Sequence, residues 1–496
     1  MTSHLVVLAV VVPLLSAPAC VLFRGRTASR YFAIAASWCS LLIAGVLLGH
    51  VMVHGEVSYL LGGWAAPFGI EYRVDPLNAY ILMIVTGIAS VVLSFDAGTS
   101  GMSVDEDRLY LYYAAFLLCI AGLSGMALTG DIFNIFVFLE ISSLSSYTLI
   151  GLGRGRRALR AAYSYLVMGT IGGTFFLIGV GLLYQVTGTL NIEDMASILS
   201  PILSSGEGLR GVFVAFAFLV VGLSIKLAVF PLHQWLPNAY TYAPAKVSAF
   251  LAATATKVSF YVLLRVVFGV FGAAFVFGTL KLHFLLVPLS LAAMFAGSLA
   301  AIYQTDIKRL LAYSSIAQIG YMTLGLSTNT ELGLTGCVVH LFNHGVMKGG
   351  LFLVVACVVF RIGSTRLDDW AGIGRRMPWT MAAFVVGGLS LIGVPGTVGF
   401  VSKWYLVLGA LEAEWYFAAV LILMSSLLAV IYVWRVIEIA WFRQPPESGS
   451  EETEDAPLVQ LIPTWTLIGA TIFFGLNTEL TVGVARRCAE LLGAGG

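Results

Sequence analysis

Apolar residues along the chain gather into runs of about 20, separated by short polar connections. A run of that length crosses a hydrocarbon core ~30 Å thick as a helix, and a helix satisfies its own backbone groups there. Fourteen runs are read, at 5–23, 31–53, 76–95, 109–128, 132–152, 161–186, 211–240, 244–270, 282–302, 308–327, 332–360, 380–410, 415–441 and 461–485. The long runs 211–240 and 380–410 carry internal Pro or Gly breaks. The pattern predicts an all-α polytopic membrane protein of about fourteen transmembrane helices.

Composition supports this reading: 59% of the 496 residues are hydrophobic and 11% charged, a balance outside that of soluble domains. Only His4 precedes the first run as a candidate cation, so that run reads as the first span and not as a cleavable signal. Six scattered cysteines, Cys20, Cys39, Cys119, Cys337, Cys357 and Cys488, show no C-x-x-C spacing. No cofactor, metal or nucleic-acid partner is expected, and no nucleophile elbow or phosphate loop is present.

Loop charge sets the expected orientation, because Lys and Arg accumulate on the cytoplasmic side. Loops after odd-numbered runs hold Arg24, Arg26 and Arg30; Arg154, Arg156, Arg157 and Arg160; Lys308 and Arg309; and Arg361, Arg366, Arg375 and Arg376. Loops after even-numbered runs hold Arg73, Arg210 and Lys281 among more numerous acids. Both termini are therefore expected outside the cytoplasm of a bacterial cell membrane. The acidic segment 445–457 reads as a solvated linker.

An internal repeat is suggested at a spacing of 175 residues. Asp131-Ile132, leading to YTLIGL, is echoed by Asp306-Ile307, leading to YMTLGL. Lys226, in a run broken at Pro231, has a counterpart in Lys403, in a run broken at Pro395, Gly396 and Gly399. The copies are displaced by five runs, an odd number, so they enter the membrane in opposite senses; such inverted repeats carry ion sites on paired broken helices. The expected organisation is 1–108 as peripheral helices, 109–270 and 282–441 as the two repeats, and 442–496 as acidic linker and last helix.

Ionisable residues deep in apolar runs are costly and mark ion pathways by default. Four stand alone: Glu140, Lys226, Lys257 and Lys403. His340, His344 and Lys348 recur at i, i+4 and i+8, on one helical face, and could hand on a proton. A buried lysine releases its proton more readily than a solvated one, and an adjacent carboxylate has the opposite effect, so a Glu140–Lys226 pair would act as a switch. The bland alternatives are snorkelling of the lysines and structural hydrogen bonding by the histidines. His233 is read as a supporting residue or a cap, Asp75 as a helix cap, Glu438 as a local partner of Arg435, and His50 with His54 as no metal site.

At these residues the chain resembles the proton-conducting antiporter family shared by respiratory complex I, membrane-bound hydrogenases and Mrp-type sodium/proton antiporters. The resemblance rests on LEISSLSSY, KLAVFPLHQWLPNAYTYAPAKVSAFLAATATKVSFY, DIKRLLAYSSIAQIGYM, the H-x3-H-x3-K file and GFVSKWYL. VPGTVGFVSKWYL and YVWRVIEIAWF are most similar to the D-type component of the Mrp antiporters. This implies two inverted five-helix bundles and a hydrophilic axis along the membrane plane. It also implies Glu140 and Lys226 as the coupled pair, Lys257 as connector, His340, His344 and Lys348 as links, and Lys403 as terminal donor or acceptor. Lysine at 403, where one complex I relative has glutamate, and the expected absence of a long lateral helix after the last run both favour the Mrp-like reading. The expected function is a proton-translocating subunit of a multisubunit Na⁺/H⁺ antiporter, partnered by other membrane subunits. The alternative is the same relay in a redox-driven complex.

Overall fold

The computed structural model describes residues 2–95, 104–153, 155–206, 208–444 and 454–493. Arg154 and all but the last four residues of the acidic segment 445–457 lie outside them.

The chain folds as a helical bundle. Its first part is α1 (Thr2–Phe23), α2 (Arg26–His54), a hairpin of β1 (Val57–Leu60) and β2 (Glu71–Val74), and α3 (Pro76–Ser94). There follow α4 (Leu109–Leu128), α5 (Ile132–Gly151), α6 (Arg156–Thr187), α7 (Ile192–Ser205), α8 (Leu209–Leu227), α9 (Trp235–Tyr242) and α10 (Ala245–Leu264), which runs on through wide π-helical turns at Arg265–Phe271 and Ala274–Thr279. The remainder is α11 (His283–Ile302), α12 (Ile307–Thr328), α13 (Glu331–Ile362), the one-turn α14 (Ile373–Arg376), α15 (Pro378–Ile392), α16 (Val398–Glu412), α17 (Tyr416–Phe442), α18 (Leu458–Leu476) and α19 (Glu479–Leu491). The hairpin is antiparallel, with Val57 opposite Val74 and Leu60 opposite Glu71.

Among the described residues, twelve helices are long and apolar enough to cross a membrane, against the fourteen runs read from sequence. The other two runs fall short for physical reasons. The helix α12 is diluted by Lys308, Arg309, Gln318 and a series of hydroxyls, and α15 stops after fifteen residues where Gly393 turns left-handed at φ 95°. The run 461–485 is likewise two helices, because Asn477 leaves the helical region and α19 turns to pack across α13 and α3. The hairpin and the amphipathic α7 went unread, both lying between apolar runs.

Burial separates core from periphery. The helices α3, α4, α10 and α13 are enclosed along most of their length, while α1, α2, α6, α11, α17 and α18 keep an apolar face outward. Outward Leu, Phe, Val and Trp side chains on those faces are suited to lipid. Polar caps fix where the inner helices begin. Asp131 accepts from Asn134 N at 2.7 Å and Asp306 from Arg309 N at 3.0 Å, each satisfying a first-turn amide. Each cap is also stitched to a strand-like bridge sixty residues on. Ile132 N donates to Leu190 O and Ile192 N to Gly130 O, while Ile307 N donates to Thr365 O and Leu367 N to Thr305 O, all at 2.9 Å.

Candidate functional site

The first broken helix places Lys226 in the last turn of α8. The helix ends at Leu227, Ala228 adopts a left-handed conformation, and α9 starts only at Trp235. Trp235 closes the break: its indole N–H donates to Ile225 O at 2.8 Å and its ring stacks on Tyr165 with centroids 3.8 Å apart. Lys226 Nζ therefore has a fixed origin. It donates to Ser143 Oγ at 2.8 Å and Glu140 Oε1 at 3.3 Å, with Tyr147 Oη at 3.5 Å, all from α5. The lysine side chain is 3% exposed and the carboxylate 24%, so one end of the pair is sealed and the other reaches the surface of the chain. Gly173 on α6 makes room for the carboxylate; a Cβ there would collide with Glu140 Oε1.

A cavity of about 20 Å³, room for a single water, adjoins Lys226 and is lined by Ser142, Ser143 and Ser146 of α5 and by Ala255 and Ser259 of α10. It connects the pair to the helix that carries Lys257. Lys257 is fully buried and folds back to donate to Ala252 O, with Thr256 Oγ1 at 3.3 Å. Gly345 and Gly349, one turn apart on α13, let that helix approach α10 closely at Ala253. This packs the helix that carries Lys257 directly against the one that carries His340, His344 and Lys348.

All three members of the α13 file are completely buried. His340 and His344 stack with ring centroids 5.8 Å apart. Lys348, one turn further, leaves the file and donates to Leu311 O at 2.9 Å and to Ser314 Oγ on α12. Neither nitrogen of His344, nor His340 Nε2, has a partner among the described residues, which makes these positions natural ones for internal water. His340 Nδ1 lies 2.8 Å from Ser402 Oγ on α16.

Lys403 follows Ser402 and lies downstream of its break. Its amine donates to Leu391 O at 3.0 Å and Ile392 O at 2.9 Å, the terminal carbonyls of α15, and stands 5.0 Å from the centre of the Tyr321 ring. The expected correspondence between the two lysines is thus not a match of position relative to the break: Lys226 precedes its break and Lys403 follows its own.

Sequence reading missed the supporting groups: Ser143, Tyr147, Gly173, Ser402, Tyr321 and the carbonyls of Leu391 and Ile392. The serine-rich stretch SSLSSY was the available signal for the first two. Lys308, counted as a loop charge, is buried and donates to Ala243 O at 2.6 Å at the end of α9. Glu438 pairs with Arg443 at 3.8 Å and not with Arg435, whose guanidinium is held by Ile302 O and by Gln304 O at 3.0 Å. Asp75 caps α3 through Asn78 N at 2.9 Å, and also pairs with Arg265 at 2.5 Å. His233 stacks on Phe230, and its carbonyl accepts from Leu236 N at 3.0 Å at the start of α9. His50 and His54 stack on each other, and no metal-binding cluster occurs among the described residues.

Lysines, histidines and a carboxylate enclosed by hydroxyls and freed carbonyls at membrane depth define a class: polytopic membrane proteins with a buried ionisable axis. The family model described as NADH:quinone oxidoreductase/Mrp antiporter, TM, matches residues 129–429, and the chain belongs to that family. It is 45% identical over 464 residues to the N component of the NADH-quinone oxidoreductase of Desulforudis audaxviator, covering 92% of this chain and 90% of that one. It is 32% identical over 492 residues to the D component of the Na(+)/H(+) antiporter of Bacillus subtilis, covering 99% and 97%. A chain in the structure of the Mrp complex from Dietzia sp. DQ12-45-1b superposes with a TM-score of 0.89 at 27% identity, covering 99% of this chain and 97% of that one. The protein is an antiporter-like membrane subunit, and its relatives are parts of multisubunit membrane complexes.

Proposed function

We propose that this chain is the proton-translocating subunit of a multisubunit Na⁺/H⁺ antiporter, and that protons pass through Glu140, Lys226, Lys257, the His340–His344–Lys348 group and Lys403. The observation that carries the reading is the ion pair of Lys226 with Glu140. An isolated lysine at membrane depth costs about 3 kcal/mol on insertion scales, and a carboxylate 3.3 Å away offsets that cost only while it stays. Because Glu140 is partly exposed on the surface of the chain, a cation presented by a neighbouring subunit competes with Lys226 for it. Withdrawal of the carboxylate leaves a desolvated ammonium beside Ser143, Tyr147 and the cavity toward α10, and the proton leaves in that direction.

The repeats proposed at 109–270 and 282–441 gain support from the matched caps and bridges of α5 and α12. Loop charge supports termini outside the cytoplasm. The test is Na⁺-driven proton movement in everted membrane vesicles. Lys226→Ala and Glu140→Ala should each abolish it while the complex still assembles, and wild-type transport by an assembled Glu140→Ala complex would reject the switch.

A second reading has its own support in the 45% identity to an NADH-quinone oxidoreductase component: the same relay driven by electron transfer in partner subunits. Visible absorption of the purified native complex separates the two. Flavin and iron–sulfur bands favour the redox-driven assembly, and a featureless spectrum favours the antiporter.

A further inference from the structure

The stretch between His340 and Lys403 contains a hydroxyl that neither the sequence reading nor the family assignment gives a role. Ser402 is completely buried, its Oγ lies 2.8 Å from His340 Nδ1, and the same oxygen is 3.4 Å from both Val398 O and Gly399 O of its own helix. A serine hydroxyl has one proton to donate and lone pairs to accept with, so it serves one of these neighbours as donor at a time. When the O–H points at Nδ1, His340 is held as the tautomer protonated at Nε2. When Nδ1 carries the proton it donates to Oγ, and the hydroxyl proton turns to a backbone carbonyl. The Tyr321 ring closes the same compartment, 6.1 Å from the His340 ring and 5.0 Å from Lys403 Nζ.

We infer that Ser402 is the hydroxyl through which His340 exchanges a proton with the Lys403 end of the axis. This inference rests on the relay proposed above and adds a named member to it. The step balances with Lys403 as the neutral amine and one water as carrier: Oγ accepts the Nδ1 proton while its own passes to the water, which protonates the amine, so hydroxyl and water are regenerated and His340 is left deprotonated at Nδ1. The imidazole and the amine therefore need no direct contact. Position supports the role, since a hydroxyl one residue before Lys403 moves with the helix that carries the amine. A loss or gain of the Leu391 and Ile392 carbonyl contacts at Lys403 is therefore felt at His340 through a single rigid turn.

The experiment is a double-mutant cycle in the assembled complex, read as Na⁺-driven proton movement in vesicles. Ser402→Ala is expected to lower the rate about 100-fold, the lower end of the range for one positioned proton-transfer group. Ser402→Thr, which keeps the hydroxyl, should stay within about 3-fold of wild type. In a His340→Ala background, Ser402→Ala should cost nothing further, whereas a packing defect would add to the loss. Wild-type transport by Ser402→Ala, equal losses in the Ala and Thr variants, or additive losses with His340→Ala would each overturn the inference. If His340→Ala alone transports normally, it is the relay reading that fails.

Discussion

The two broken-helix lysines meet the same physical problem with different chemistry. At Lys226 the stabilising group is a full negative charge, Glu140, delivered by another helix. At Lys403 it is the C-terminal end of α15, two backbone carbonyls that the break leaves without helical partners. A unit charge at 3.3 Å in an effective dielectric of about 20 contributes roughly 5 kcal/mol before desolvation, whereas a helix terminus contributes about 0.5 to 2. The carboxylate can be lured away by a competing cation; the carbonyls are part of the backbone and cannot. Under the relay proposed above, the difference assigns the first site a strongly variable hold on a proton and the second a moderate, constant one.

The largest expected effect tests that asymmetry directly. Glu140→Gln keeps size and hydrogen bonding to Lys226 but removes the charge. It should cut cation-driven proton transport by at least about 100-fold in a fully assembled complex, because under the proposed switch the roughly 5 kcal/mol contact is the one that varies during turnover. Near-normal transport in this variant would mean that a neutral hydrogen-bond partner suffices at both sites, and the comparison would dissolve.

Next in size come two glycines that give each lysine site its space. Gly173→Ala drives a methyl group into Glu140 Oε1 and should lower transport about 10-fold by displacing the carboxylate, with little loss of folded complex. Gly393→Ala meets a different obstacle: its φ of 95° is strained for any residue with a Cβ, and the added carbon would lie 3.0 Å from Lys403 Cδ. The backbone strain is about 1 to 3 kcal/mol, so this variant should show reduced complex yield on native gels as well as reduced transport. A Gly173→Ala variant that loses assembly but keeps transport per complex would reverse the assignment.

How far these sites could be read from sequence follows from the range of the forces involved. Glu140 and Lys226 were legible as a pair because charges in an apolar medium have few possible partners. The bundle and most of its spans were legible from run length alone. The partners of Lys403 were not, since they are ordinary leucine and isoleucine carbonyls, exposed only because the helix stops at Ile392 and not at the Pro395 that draws the eye. Arg435 shows the same limit: Glu438 is a neighbour on its helix, yet the guanidinium goes to carbonyls at the end of α11, more than 130 residues away. Freed backbone groups leave no side-chain signature. The hydroxyl of Ser402 is hidden for a related reason, being one serine among many until His340 is seen beside it.

The smallest effect concerns the far end of α15. Asp455, among the last four residues of the acidic segment, accepts from Trp379 N at 2.7 Å, Thr380 N at 3.3 Å and the Thr380 hydroxyl, capping that helix from 75 residues away in sequence. Arg361 donates to the Asp455 carbonyl at 3.0 Å and fixes the capping residue in turn. The helix α15 thus carries a carboxylate at its N-terminus and an ammonium at its C-terminus, both in the sense its dipole favours. Asp455→Ala should cost about 1 kcal/mol, the usual value of an N-cap, and lower the thermal midpoint of the purified complex by about 1 °C with transport close to wild type. Fifteen residues separate the two ends by roughly 22 Å, where the lost charge contributes less than about 1 kcal/mol at Lys403 in the same effective dielectric. A large transport loss without a fall in the midpoint would show that Lys403 depends on how α15 is anchored, and the moderate, constant hold assigned to its carbonyls would have to be replaced by a movable one.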